Sequence, residues 1–305
     1  MAPVAQSAAQ IARTYLDDAA AAAARLSDHA EALHDFRVAI RRLRVTVGAY
    51  TALHDGVSRT QRRRLRKLAR ATNAARDAEV QLVWFRNRSA QFTAAQRAAL
   101  APVRTRIRAR RRREHVRSQT KLLRRFEKLE RKLRLRLATL QTSRSNHDAH
   151  FGATAAAALV RHAEDLSARL GAVTSVSQAA ELHATRIAAK KLRYLLEPLQ
   201  AGVPSAPVLL KRLKQLQDLL GEINDAHVLS DVVEGAGVSA ATDVLHDELA
   251  SLFTTLQRDW VTAGPDLQQA VAAAARQLKP ATIARSGTRR AATRRRERRR
   301  EDVTA

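Results

Sequence analysis

Two short basic segments carry the residues of this chain best suited to chemistry. Leu33-His34-Asp35-Phe36-Arg37-Val38-Ala39-Ile40-Arg41-Arg42-Leu43-Arg44 returns 149 positions later as Leu182-His183-Ala184-Thr185-Arg186-Ile187-Ala188-Ala189-Lys190-Lys191-Leu192-Arg193. Six of the twelve positions are identical and three more are conservative. At about 100° per residue, Leu33, Phe36, Ile40, Leu43 and Val47 form one apolar stripe, which must face a core. His34, Arg37, Arg41 and Arg44 form a second stripe beside it, with Val38 and Val45 on its far side. The later segment sets His183, Arg186, Lys190 and Arg193 between Leu182, Ala189, Leu192 and Leu196 on one side and Ile187 and Tyr194 on the other. A solvated helix carries its charges opposite the core, with acids interspersed; here no acid interrupts the stripe. Isolated buried cations are costly. The stripe is therefore expected to line a groove, wet when empty and filled by an anion when occupied. One cation recurs about every 5 Å along the axis. That spacing suits an extended polyanion with regular charges, not one small phosphate, which needs donors converging on a point. A histidine beside arginines suits a hydrogen bond to phosphate oxygen better than metal ligation or catalysis. The structural alternative is a stripe of inter-helix salt bridges, with Asp77, Asp218 and Asp225 as partners.

These stripes need helices to carry them, and the rest of the chain supplies little else. Of 305 residues 45% are apolar, only 10 are Gly and 7 are Pro, and no alternating strand pattern stands out. Ala, Arg and Leu dominate, all good helix formers. The pattern predicts an all-α chain with main helices near 7–27, 30–54, 60–90, 94–142, 151–170, 178–201, 206–235 and 240–263, and a further one near 266–278. Short connections favour antiparallel neighbours and bundles. A second block repeats at offset 148, where Arg63-Arg64-Leu65-Arg66 and Leu68 match Lys211-Arg212-Leu213-Lys214 and Leu216. Arg76-Asp77-Ala78 likewise matches Asn224-Asp225-Ala226. Arg63, Arg66 and Arg70, and their counterparts Lys211 and Lys214, are spaced to face the same groove. Asp77 and Asp225 are placed to hold arginines in position.

The absence of Cys excludes disulfides, thiol catalysis and Cys-type zinc sites. No phosphate-binding glycine loop, dinucleotide fingerprint or nucleophile elbow occurs. His147-Asp148-Ala149-His150 has metal-like spacing but sits in a polar break. No cofactor, metal site or catalytic group is expected, and the chain is not expected to be an enzyme. No secretory signal or membrane-length apolar stretch is visible, so a cytoplasmic location is expected.

The net charge of +26 allows any polyanionic partner. It is unevenly spread: +9 over 1–103, +13 over 104–136, −4 over 137–275 and +8 over 276–305. The Arg-rich tail, Arg285 to Arg300, reads as a disordered or weakly helical electrostatic arm. The tail and the 104–136 helix support a rival reading, a non-specific nucleic-acid binder. Low aromatic content and the lack of a reading motif count against it. In the acidic region 137–275, seven of eleven basic residues fall in two clusters, Arg186 to Arg193 and Lys211 to Lys214.

The His-x-x-Arg-(Val/Ile)-x-x-(Arg/Lys)-(Arg/Lys)-Leu-Arg block at 34–44 and 183–193, with the stretch from Leu213 to His227, resembles the CHAD (conserved-histidine α-helical) domain over about residues 5–275. The resemblance implies two pseudo-symmetric four-helix bundles packed side by side, an N-terminal half over 1–145 and a C-terminal half over 146–275, followed by the basic tail. It implies non-catalytic binding of inorganic polyphosphate in a basic channel, and association with polyphosphate granules. By position it places the family's histidines on His34 and His183. Its basic residues fall on Arg37, Arg41, Arg42, Arg44, Arg186, Lys190, Lys191 and Arg193. Family members are often fused to a triphosphatase domain whose Glu-x-Glu-x-Lys signature is absent here, so phosphatase activity is not implied.

Overall fold

The apolar stripes organise the fold. A computed structural model of the chain describes residues 7–26, 31–71, 73–88, 90, 92–142, 151–235 and 239–278, and among them there are helices and connections but no strand. The N-terminal half contains α1 (Ala8–Ala24), α2 (Ala32–Ala49), α3 (Thr51–Gly56), α4 (Arg59–Ala71), α5 (Asn73–Arg88) and α6 (Ala94–Thr142). The C-terminal half contains α7 (Phe151–Ala172), α8 (Ala179–Leu196), α9 (Ala206–Glu234), α10 (Ser239–Leu256) and α11 (Gly264–Gln277). A 3₁₀ turn follows α8 over Glu197–Gly202, and a π turn follows α10 over Gln257–Val261. The His147 to His150 segment and the tail beyond Leu278 lie outside the described residues, as do the side chains of Arg76 and Asp77.

Most helices fall where periodicity puts them, and the differences are local. The expected 30–54 helix breaks at Tyr50, which takes extended torsions of φ −99° and ψ 118°. Tyr50 buries its ring against Phe151 of α7, with centroids 5.5 Å apart. The expected 60–90 helix is two helices, α4 and α5. Ser7 caps α1, its hydroxyl accepting from Gln10 N–H at 3.2 Å.

Helix α2 packs on α1, α3 and α4, while α6 runs along α5, α1 and α4. With 49 residues, α6 is about 73 Å long. Phe36, Ile40, Leu43 and Val47 of α2 are buried, and Phe36 meets Phe126 of α6 edge to face at 5.0 Å. Each such side chain contributes about 1.5–3 kcal/mol on burial. In the C-terminal half α7 pairs with α8 and α11, and α9 with α8 and α10. The halves meet where α2 lies against α8 and where α5 and α6 lie against α9. Trp84 on α5 donates from Nε1 to Glu248 Oε2 on α10 at 3.2 Å. The buried apolar residues of both halves form one continuous cluster. None of the described helices is long and apolar enough to cross a membrane.

Candidate polyanion-binding cavity

The boundary position of the basic stripes has a direct consequence. Because α2 and α8 each turn an apolar stripe to their own half, the stripes beside them meet across the seam. They enclose a cavity of about 590 Å³. From α2 it is lined by His34, Arg37, Arg41 and Arg44, with Val38 and Val45. From α8 come His183, Arg186, Lys190, Lys191 and Arg193, with Ile187 and Tyr194. Arg70 of α4 adds a cation, and α9 closes one side with Gln217, Asp218, Asn224 and Asp225.

Depth differs along the stripes. Both histidines are exposed, Arg37 is only 5% exposed, and Arg41, Arg44, Arg186, Lys190, Lys191 and Arg193 are half-buried. Arg186 lies along α9 where Gly221 has no side chain. A Cβ there would come within 3.6 Å of its Nη2. Burial, with Arg41, Arg66 and Arg70 close by, holds the Arg44 guanidinium below its usual range. Burial and then the Arg186 and Arg41 charges hold the Lys190 ammonium down to about 7, with Asp225 opposing the shift.

The polar residues among the cations have assigned partners. Asn224 donates from Nδ2 to Asp225 Oδ1 at 3.2 Å, which turns its Oδ1 towards His183 Nδ1 at 2.5 Å. His183 therefore donates through Nδ1 to Asn224, and its Nε2 becomes a donor to an incoming oxyanion only when the ring is protonated. Asp218 accepts from Lys214 Nζ at 2.5 Å. Among the described residues Arg41, Arg44 and Lys190 have no carboxylate within ion-pair distance. Among the described residues, which do not include the Asp77 side chain, salt bridging thus does not account for these three cations of the stripes.

Five sequence-selected residues fall elsewhere. Arg66 is exposed and close enough to act on Arg44, while Arg63, Lys211 and Lys214 are exposed, all four outside the cavity lining. Arg42 points away from the cavity, into a separate groove lined by Ile11, Tyr15 and Glu197. Its Nε pairs with Glu197 Oε2 at 2.8 Å, and its guanidinium lies 5.7 Å from the Tyr15 ring centroid and 5.8 Å from that of Tyr194. Glu197 also takes Arg193 Nε at 3.5 Å, so one carboxylate serves both halves. Burial pushes the Tyr15 phenol there up to about 12. Arg42→Ala is expected to destabilise the protein by about 1–3 kcal/mol in urea unfolding, because it leaves a largely buried carboxylate with only its longer contact to Arg193. Anion binding in the cavity should hold.

Sequence reading overlooked Gln81 and Gln217. Gln81 of α5 lines the cavity at 4% exposure, and Gln217 directs a buried Oε1 without a partner among the described residues. Gln217 stands three residues after Lys214 within the second repeated block. That spacing was the one signal available; Gln81 had none.

The fold and site define an all-α protein with a cation-lined cavity between two helical halves. The chain belongs to the CHAD domain family, whose sequence profile matches residues 10–234. It is similar to the crystal structure of the CHAD domain from the plant Ricinus communis, at 20% identity and a TM-score of 0.65, over 88% of this chain and 91% of that one. At that identity the likeness speaks to the fold. Among curated proteins no match was found.

Proposed function

We propose that this chain is a non-catalytic binder of inorganic polyphosphate, held in the cavity between α2 and α8. One observation carries the reading: two basic stripes 149 residues apart in sequence line the same cavity. Successive phosphates would meet Arg37, Arg41 and Arg44 on one wall and Arg186, Lys190 and Arg193 on the other. The histidines at the more exposed positions would add hydrogen bonds. Family membership points to condensed phosphate among the polyanions this arrangement suits. A cytoplasmic place, with association to polyphosphate granules, goes with the same reading.

Binding should weaken steeply with salt, because counterions are released as phosphates are neutralised. The rival partner is duplex nucleic acid, gripped by the exposed arginines of α6 from Arg106 to Arg113 and by the tail. Comparing polyphosphate and duplex DNA at physiological salt, for the full chain and a chain ending at Leu278, separates the two. Polyphosphate affinity is expected to survive truncation. If it disappears with the tail, the cavity is not the binding site.

A charge-neutral variant tests the geometry. Gly221→Ala is expected to be tolerated, since its methyl makes ordinary contact with Arg186. Gly221→Leu should push that guanidinium aside and weaken polyphosphate binding about tenfold or more, as expected for loss of a charged hydrogen bond. Equal affinity of the two variants in a titration would show that Arg186 is not held there for the ligand.

A further inference from the structure

We propose that Lys190 makes this cavity responsive to charge density, taking up a proton as a polyanion enters and releasing it as the polyanion leaves. The inference rests on the reading of the cavity as a polyanion site and adds a specificity residue to it.

The geometry is a crowd of cations around one amine. On α8, Arg186 and Arg193 stand about one helical turn to either side of Lys190. Arg41 of α2 acts on it from across the seam. Arg37 and Arg44 line the same α2 wall. Asp225 of α9 is the carboxylate that favours its charged form, and Asn224 already donates to that carboxylate. Asp218, also on α9, is taken by Lys214. Behind α8, α7 brings Asp165 and His162, and His162 is influenced by Lys191. Among the described residues no carboxylate reaches ion-pair distance of the Lys190 amine.

Arginine cannot relieve this crowding by losing its proton, and lysine can. Burial and the neighbouring guanidinium charges bring Lys190 down to about 7, so in the empty cavity much of it is neutral slightly above neutral pH. An entering chain of phosphates replaces the repulsion with attraction and favours the ammonium. One proton then moves from solvent to Nζ for each chain bound, and no covalent bond forms. A single phosphate offsets only some of Arg41, Arg186 and Arg193, so it recovers less of this proton. The site therefore favours densely charged polymers over monomers. Linkage fixes the sign, with affinity falling as pH rises above the free-state value.

The test is calorimetric titration of the full chain with long-chain polyphosphate at fixed salt, across pH 6 to 9. Two buffers of different ionisation heat at pH 8 report the protons exchanged. Wild type is expected to take up about one proton at pH 8, and its affinity to fall towards about tenfold per pH unit above neutrality. Lys190→Arg should lack that extra proton and lose less affinity above neutrality, keeping only what the histidines contribute. Lys190→Gln should be weaker at pH 6 and show the same shallower fall above neutrality. His34 and His183 are unchanged in every variant, so their contribution is common to all. Proton uptake at pH 8 as large in Lys190→Arg as in wild type, or wild-type binding without uptake, would overturn the proposal and leave the polyphosphate reading intact. Absence of wild-type binding at every pH would sink both. With inorganic phosphate as the probe, uptake should be clearly smaller; equal uptake would refute the charge-density role.

Discussion

Changing Arg37 and Arg186 together to alanine is expected to weaken polyphosphate binding by roughly a hundredfold to ten-thousandfold. The estimate follows from two charged hydrogen bonds at about 1.5–3 kcal/mol each. These residues are the right pair because they are equivalent in the two stripes and lie on opposite walls of the seam. Arg37 is buried and Arg186 lies where Gly221 leaves room, so neither side chain has much freedom left to lose. The slope of log affinity against log salt should also flatten by about two contacts. Filter binding or calorimetry at two salt concentrations measures both quantities, with circular dichroism reporting retained helix. A loss no larger than that from removing two exposed arginines such as Arg110 and Arg111 would mean that overall charge, not the cavity, sets affinity.

The second large effect concerns the empty protein. Lys190→Met is expected to raise its stability near pH 7 by roughly 2–4 kcal/mol, because a side chain of similar length replaces a penalised ammonium. The folded protein holds Lys190 near 7, well below the ordinary lysine value, so folding disfavours the charged form. The penalty is complete below pH 7, where both folded and unfolded states are protonated. It shrinks as pH rises towards 10, where the unfolded state also becomes neutral. The advantage of the Met variant in urea unfolding should therefore be greatest at pH 6 to 7 and nearly gone at pH 10. A constant advantage would point to packing instead of charge. Saturating polyphosphate should narrow or reverse the order of stability, because the ligand removes the penalty and binds more tightly where Lys190 is present.

Much of this was legible in the sequence, for a physical reason. A stripe of cations beside an apolar stripe cannot point into the core, so the burial of the apolar stripe sets the cations at its edge. Phe36, Ile40, Leu43 and Val47 are buried as their spacing predicts, and His34, Arg37, Arg41 and Arg44 share one cavity. Arg42 shows the limit. It adjoins Arg41 and matches Lys191, which does line the cavity, yet it turns away. Its direction is set by Glu197 and by the Tyr15 and Tyr194 rings, groups outside its own segment. Gln81 was hidden for a similar reason. Its position depends on α5 being separate from α4 and lying against α9, a matter of packing that local periodicity does not carry. The Tyr50 break is also a tertiary decision, made by a ring that buries itself against the other half.

The division of the cavity between two distant segments also bears on the protein's birth. The N-terminal stripe is synthesised 149 residues before its complement. At ordinary rates of elongation the ribosome needs roughly 7 to 30 seconds to cover that distance. During that interval a row of arginines is presented without its opposing wall, beside the most abundant polyanion a newborn chain meets, ribosomal RNA. As α7 to α11 emerge, docking of α8 on α2 supplies the second wall, and the cavity exists only from that moment.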